Sequence, residues 1–131
     1  RIKGETLITV QDYTSGKLFD DAVSYAFYPV DLHTKTGVRP KPLKKGIVPS
    51  IPLGALVPKG SRNLLVAGRC VSSDRLANSG LRVQASCMGM GQAAAVAAIL
   101  AAQGNTTPSA VPLAEIHGLL KKHGAIIPGK A

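Results

Sequence analysis

"SCMGMGQAAAVAAILAAQGN", residues 86–105, decides how the chain is read. Gly89, Gly91 and Ala94 carry the spacing of the G-x-G-x-x-G/A dinucleotide fingerprint, and an alanine run follows. That fingerprint works on the tight turn joining a first strand to a first helix, with an acidic residue about 20 positions later on the ribose. Here the best preceding strand, Leu64 to Ala67, ends well before Gly89, and the only later acid is Glu115. The literal reading fails. Small residues at Gly89, Gly91, Ala93, Ala94, Ala95, Ala97, Ala98, Ala101 and Ala102 instead let a helix lie very close to a neighbour, and alanine favours the helix itself. The pattern predicts a helix from near Ser86 to near Gln103, stopped by Gly104 and Asn105. Its N-terminus would still offer free N–H groups and a positive dipole end to an electron-rich ligand held mainly elsewhere, with Gly89 allowing close approach.

Moving outward, "NLLVAGR", residues 63–69, is a short apolar run without alternation, the mark of a strand covered on both faces. "CVSSDRLANSGLRVQ" reads as a linking stretch. "PLAEIHGLLKKHG", residues 112–124, predicts an amphipathic helix with Pro112 at its start and Leu113, Ile116, Leu119 and Leu120 on one face. Residues 5–10, "ETLITV", and 23–30, "VSYAFYPV", predict strands separated by the turn-rich "QDYTSGKLFDD". Pro49, Pro52 and Pro58 break the following stretch into short extended pieces. The fold class is therefore α+β, with β-structure and a basic Pro-rich loop over residues 1–62 and a strand with helices over 63–131.

At 131 residues and 45% apolar content the chain supports a single hydrophobic core. No apolar run is expected to reach membrane-spanning length, because Arg82, Gln84 and Gln92 interrupt the approach to the alanines. No membrane partner is expected. Cys70 and Cys87 do not make a disulfide framework, and the scattered His33, His117 and His123 offer no metal-ligand spacing, so no metal is expected. Sixteen Lys plus Arg against seven Asp plus Glu give a net charge of +9. Much of the excess lies in Lys35, Arg39, Lys41, Lys44, Lys45, Lys59 and Arg62, in a segment without acids or interleaved aromatics. That favours a solvated loop over a nucleic-acid groove. A small basic module for an acidic partner or nucleic acid stands as the alternative, and a structural cap or dimerisation element as a third reading.

"NLLVAGRCVSSDRLANSGLRVQASCMGMGQAAAVAA" resembles the C-terminal flavin-contacting segment of FAD-dependent oxidoreductases, the broad bacterial flavoprotein class with a glutathione-reductase-like nucleotide domain. "FYPVDLHTKTG", "IPLGALVPKGSRNLLVAGR" and "PLAEIHGLLKKHGA" are similar to the flanking pieces, so nearly the whole chain is covered. The resemblance implies that "NLLVAGR" is the last strand of a Rossmann-like nucleotide-binding sheet, delivering Gly68 and Arg69 beside FAD. It also implies that the helix after Arg82 aims its N-terminus at the flavin, with Val83, Gln84, Ala85, Ser86, Cys87 and Met88 presenting backbone groups.

Arg82 is the first candidate for a polar active-site residue, set against an arginine that merely satisfies carbonyls at a loop-to-helix junction. His33, in "YPVDLH", falls in the substrate domain by resemblance and could exchange a proton with substrate while Asp31 orients it. The plainer reading is an exposed strand-end histidine. Cys87 could gain thiolate character from a helix N-terminus, but a buried neutral thiol is simpler for both cysteines. The family's N-terminal strand–glycine-loop–helix unit is not in this sequence. The chain is therefore expected to be the C-terminal portion of a longer enzyme, partnered by that FAD-binding part and a small-molecule substrate. Alone it is expected to bind FAD poorly, catalyse nothing and expose an apolar face that self-association could hide. A cytoplasmic location is favoured.

Overall fold

Thr9 and Asp12 start the first regular element. The Thr9 Oγ1 accepts from the Asp12 N–H at 3.1 Å and the Asp12 carboxylate accepts from the Thr9 N–H at 3.1 Å, a reciprocal capping box. Helix α1, Val10–Ser15, follows and ends at Gly16, whose φ of 71° completes the left-handed cap. This is a correction to the sequence reading, which placed a strand at residues 5–10 and turns after it. Residues 2–8 bend at Glu5 and Thr6 and are laced between two loops through isolated bridges, Gly4 to Pro58 and Ile8 to Ser73, rather than paired in a ladder. Thr6 N–H donates to Gly54 O, Glu5 N–H to Val57 O and Ile8 N–H to Ser72 O, each at 3.0 Å. A computed structural model describes residues 1–129 of the chain.

Asp74 ties this segment to the second half. Its Oδ1 accepts from the Ala77 N–H at 2.8 Å, capping α2, Arg75–Leu81, while its Oδ2 accepts from the Val10 N–H of α1 at 2.6 Å. One carboxylate thus serves the positive ends of two helices. The helices also touch through Tyr13, fully buried, whose ring lies over Gly80. A Cβ at Gly80 would stand 2.5 Å from the Tyr13 hydroxyl oxygen, so only glycine permits this approach. That hydroxyl donates to Tyr28 O at 2.9 Å, and burial pushes the phenol up to about 12. Helix α2 lies where the sequence suggested only a link.

The remaining sheet structure is small. Strand β1, Ala22–Tyr25, pairs antiparallel with β4, Ser50–Pro52, through Tyr25–Ser50 and Ser24–Ile51, with a bulge between Ala22 and Ser24. Between them in sequence, β2, His33–Thr34, and β3, Gly37–Val38, make an exposed hairpin at the start of the basic loop. The expected strand at 63–69 is not formed. Val66 N–H donates to Leu56 O at 2.8 Å, but among the described residues no strand lies alongside to extend the ladder, and Leu64 is exposed.

Helix α3, Gln84–Gln103, matches the predicted alanine helix closely. Ser86, Met90, Ala93, Ala97 and Ala101 form its buried stripe, and Gly89 lies against Ser24 of β1, whose hydroxyl would have to turn away to admit a side chain there. Contrary to the expectation from sequence, α3 is long and apolar enough by length and composition to cross a membrane. Alanine raises the hydropathy of the whole helix because it is apolar on every face, while the interrupting Gln84 and Gln92 are uncharged. Its far side exposes Met88, Ala95, Ala98, Ile99 and Ala102. Helix α4, Leu113–Lys122, packs on α3 through the fully buried Ile116 and Leu120, as its periodicity predicts, with Lys121 and Lys122 at its negative end. One buried cluster joins Ile8, Tyr13, Val23, Ile51 and Leu56 to Val71, Leu81, Met90, Val96, Ile116 and Leu120.

Two outcomes test this framework. Asp74→Ala removes an acceptor from both helix starts and is expected to lower unfolding free energy by about 2 kcal/mol in urea titration; an unchanged midpoint would show that the caps contribute nothing. For Asp12, burial acts to raise the carboxyl, but hydrogen bonds from Lys17 and Thr9 and the Lys17 charge outweigh it, so its pKa is lowered. The folded value lies below the unfolded one, so the contribution is present above the ordinary Asp range and lost as pH falls through the lowered pKa. Asp12→Asn should therefore destabilise at neutral pH, with the gap from wild type closing on acidification in thermal melts.

Candidate functional site

Arg75, Asn78, Ser79 and Arg82 follow the i, i+3, i+4, i+7 spacing that places side chains on one face of a helix, here α2 and its C-cap. Opposite this face runs the segment from Val30 to His33. Val30 is pinned by reciprocal bonds to Lys41, at 3.0 and 2.8 Å, and the Asp31 N–H donates to Ser79 Oγ at 3.0 Å. Ser79 in turn donates to Leu76 O at 2.6 Å, so its oxygen is oriented before Asp31 reaches it. A cleft of ≈ 230 Å³ lies between the two walls, lined also by Arg1 and Leu32.

The Asp31 carboxylate is the hub of the cleft. Its Oδ2 stands 3.4 Å from His33 Nε2 and 3.9 Å from Arg82 Nη2, and Arg82 Nη2 also donates to the Asp31 carbonyl at 3.4 Å. The other oxygen, Oδ1, is buried without a donor among the described residues. Side-chain exposure falls from 59% at His33 through 35% at Arg82 to 12% at Asp31, so the carboxylate is sheltered while the imidazole faces out. His33 is thus both a strand-start histidine on the surface and a partner of Asp31. Arg82 bonds the Asp31 carbonyl across the cleft, rather than a carbonyl of its own loop-to-helix junction, and lies 3.9 Å from the Asp31 carboxylate.

Val83 alone separates Arg82 from the first turn of α3 and serves as its N-cap, with extended backbone and no capping side chain. Gln84 and Ala85 are exposed, no acidic residue lies in the first turn, and the leading N–H groups have no side-chain acceptor at the cap. Ser86 is turned inward and buried. Cys87 faces Gly68, whose φ of 89° is open to glycine, with the thiol 3.8 Å from where a Gly68 Cβ would be. Burial pushes the Cys87 thiol up, against the pull of the Arg69 charge, which keeps it a neutral thiol. Arg69 is exposed, and its carbonyl accepts from Asn78 Nδ2 at 3.3 Å. Met88 is 74% exposed.

Of the residues singled out from sequence, His33 and Arg82 come together on Asp31, and Gly68, Arg69 and Cys87 gather beside the entrance to α3, with Val83 and Gln84 leading into it. Gly89 points at Ser24 instead, which accounts for its missing side chain by packing. Arg75, Asn78 and Ser79 were missed. Their signal was the Asp74 cap followed by i, i+3, i+4 spacing, hidden inside what read as a link. The basic residues Lys35, Arg39, Lys41, Lys44, Lys45, Lys59 and Arg62 are all exposed.

No curated protein and no solved structure matches the chain. A family model described as FAD dependent oxidoreductase matches residues 1–120. That match covers both walls of the cleft and all of α3, and the chain belongs to the FAD-dependent oxidoreductase family.

Proposed function

We propose that this chain supplies one wall of a flavin site and the substrate-holding residues next to it, in an enzyme that moves hydride between a small molecule and FAD. The observation that carries the reading is the junction at Arg82. Its guanidinium lines the Asp31–His33 cleft while its backbone leads through Val83 into the uncapped N-terminus of α3. A 20-residue helix with unsatisfied leading amides, exposed at Gln84 and Ala85 and free of acids there, fits the electron-rich edge of a flavin. FAD, when bound, supplies the two-electron acceptor or donor.

The chain's own residues then have separable tasks. The exposed amides of Gln84 and Ala85 hold negative charge at the ligand's edge, and Gly68 permits a close backbone approach beside them. His33 takes or returns the substrate proton at Nδ1, the ring nitrogen turned away from Asp31, while the Asp31 carboxylate beside Nε2 orients the imidazole. Arg82 positions substrate. Neutral Cys87 fills space against Gly68. We infer that the remaining flavin contacts come from a strand–glycine-loop–helix unit outside these 131 residues, because Gly89 and Gly91 do not make the phosphate turn. The family match supports this enzyme reading over a basic binding module.

Ala85→Asp separates helix chemistry from flavin binding. An acid in the first turn of α3 stabilises the helix by about 0.3–1 kcal/mol, yet it opposes charge on a flavin at the same place. In the complete gene product the variant should melt no lower than wild type and carry clearly less FAD per polypeptide by visible absorbance. Equal flavin content in both proteins would remove the α3 N-terminus from the site.

A further inference from the structure

We infer that the cleft between α2 and the Asp31–His33 segment takes the carboxylate of a small mono-anionic substrate, gripped by Arg75 and Arg82. The assignment rests on the hydride-transfer reading, since it names the substrate class for that site. Among the lining residues Asp31 is the sole acid, facing Arg75, Arg82 and the imidazole of His33, even with Arg1 left aside. Arg75 has no carboxylate within ion-pair distance among the described residues. Arg82 commits only Nη2, to one carbonyl at 3.4 Å and to the carboxylate side-on at 3.9 Å. Among the described residues its other donors have no partner.

Two guanidiniums on one helix face, with a single shared acid between their wall and the next, leave positive charge that an incoming anion would balance. Guanidinium forks match a planar carboxylate with two parallel N–H···O bonds. Asp31 sets the limit on charge. A monoanion balances the single positive charge left by two guanidiniums and one carboxylate, whereas a phosphate dianion overshoots it and carries a desolvation cost that rises with the square of its charge. The ≈ 230 Å³ volume also suits a compact acid rather than a nucleotide. Asn78 adds an amide, although its Nδ2 already donates to Ser73 Oγ at 3.1 Å.

Glycolate is the probe, with its neutral isostere glycolamide and inorganic phosphate as comparators, on the complete gene product. Calorimetry should show saturable glycolate binding, weakened about tenfold or more by Arg75→Gln or Arg82→Gln and unchanged by Arg62→Gln, with glycolamide at least about tenfold weaker. Chemical modification of wild-type arginines by phenylglyoxal, mapped by mass spectrometry, gives a second readout that needs no variant to fold. Glycolate should protect Arg75 and Arg82 and leave Arg62 reactive. Protection absent at Arg75 and Arg82, equal protection at Arg62, or tighter binding of phosphate than of glycolate would each overturn the assignment. Flavin absorbance is read independently. Loss of protection in a flavin-loaded protein strikes the carboxylate site alone, and intact protection in a protein that never binds flavin strikes the hydride-transfer reading alone.

Discussion

One carboxylate, Asp74, holds the two halves of the chain in register. Through Oδ1 it starts α2 and through Oδ2 it starts α1, so the position of each helix is conditional on the other. The extended N-terminal segment is drawn in by the same arrangement, since the Asp74 N–H donates to Ile8 O at 2.9 Å. Everything placed by α2 inherits this constraint, including the arginine face of the cleft and the junction at Arg82 from which α3 departs. Free helix ends are costly when buried, and here the cost is met by a side chain remote in sequence from one of the helices it serves.

Small residues do the complementary work of closeness. Gly80 lets α2 settle on the Tyr13 ring, and Gly89 lets α3 settle on Ser24 of β1. Between these two contacts Arg82 lines the cleft and, two positions on, Gln84 and Ala85 lie at the surface. The glycine pair that looks like a nucleotide loop is thus divided in role: Gly89 is a packing residue, and Gly91 has open space where a side chain would be. In the proposed reading, the ligand contact of this stretch is the helix start that precedes both.

The long elements were legible because their signals are local. The alanine run with Gly104 behind it announces α3, and the spacing of Leu113, Ile116, Leu119 and Leu120 announces α4. The short helices were not, although Thr9 with Asp12 and Asp74 with Ala77 are capping signals in plain view. With six and seven residues, α1 and α2 are too brief for periodicity to outweigh the turn-forming residues around them. The expected strand at residues 63–69 failed for a different reason, because a strand is completed by a neighbour and composition cannot supply one. His33 and Arg82 could be picked out singly by residue type and resemblance. The pairing of His33 with Asp31 was legible from their two-residue spacing, but the arrival of Arg82 at Asp31 was not, since it depends on the Ser79 hydroxyl that anchors the Asp31 backbone across 48 positions of sequence.

The account stands on the start of α3 being a ligand surface adjoining the Asp31–His33–Arg82 cleft. A crystal structure of the complete gene product loaded with FAD tests it most directly. The prediction is a flavin ring whose electron-rich edge accepts hydrogen bonds from the amides of Gln84 and Ala85, with the cleft opening onto its face. A ring bound elsewhere, with those amides covered by the protein's own carboxylates or carbonyls, would contradict it.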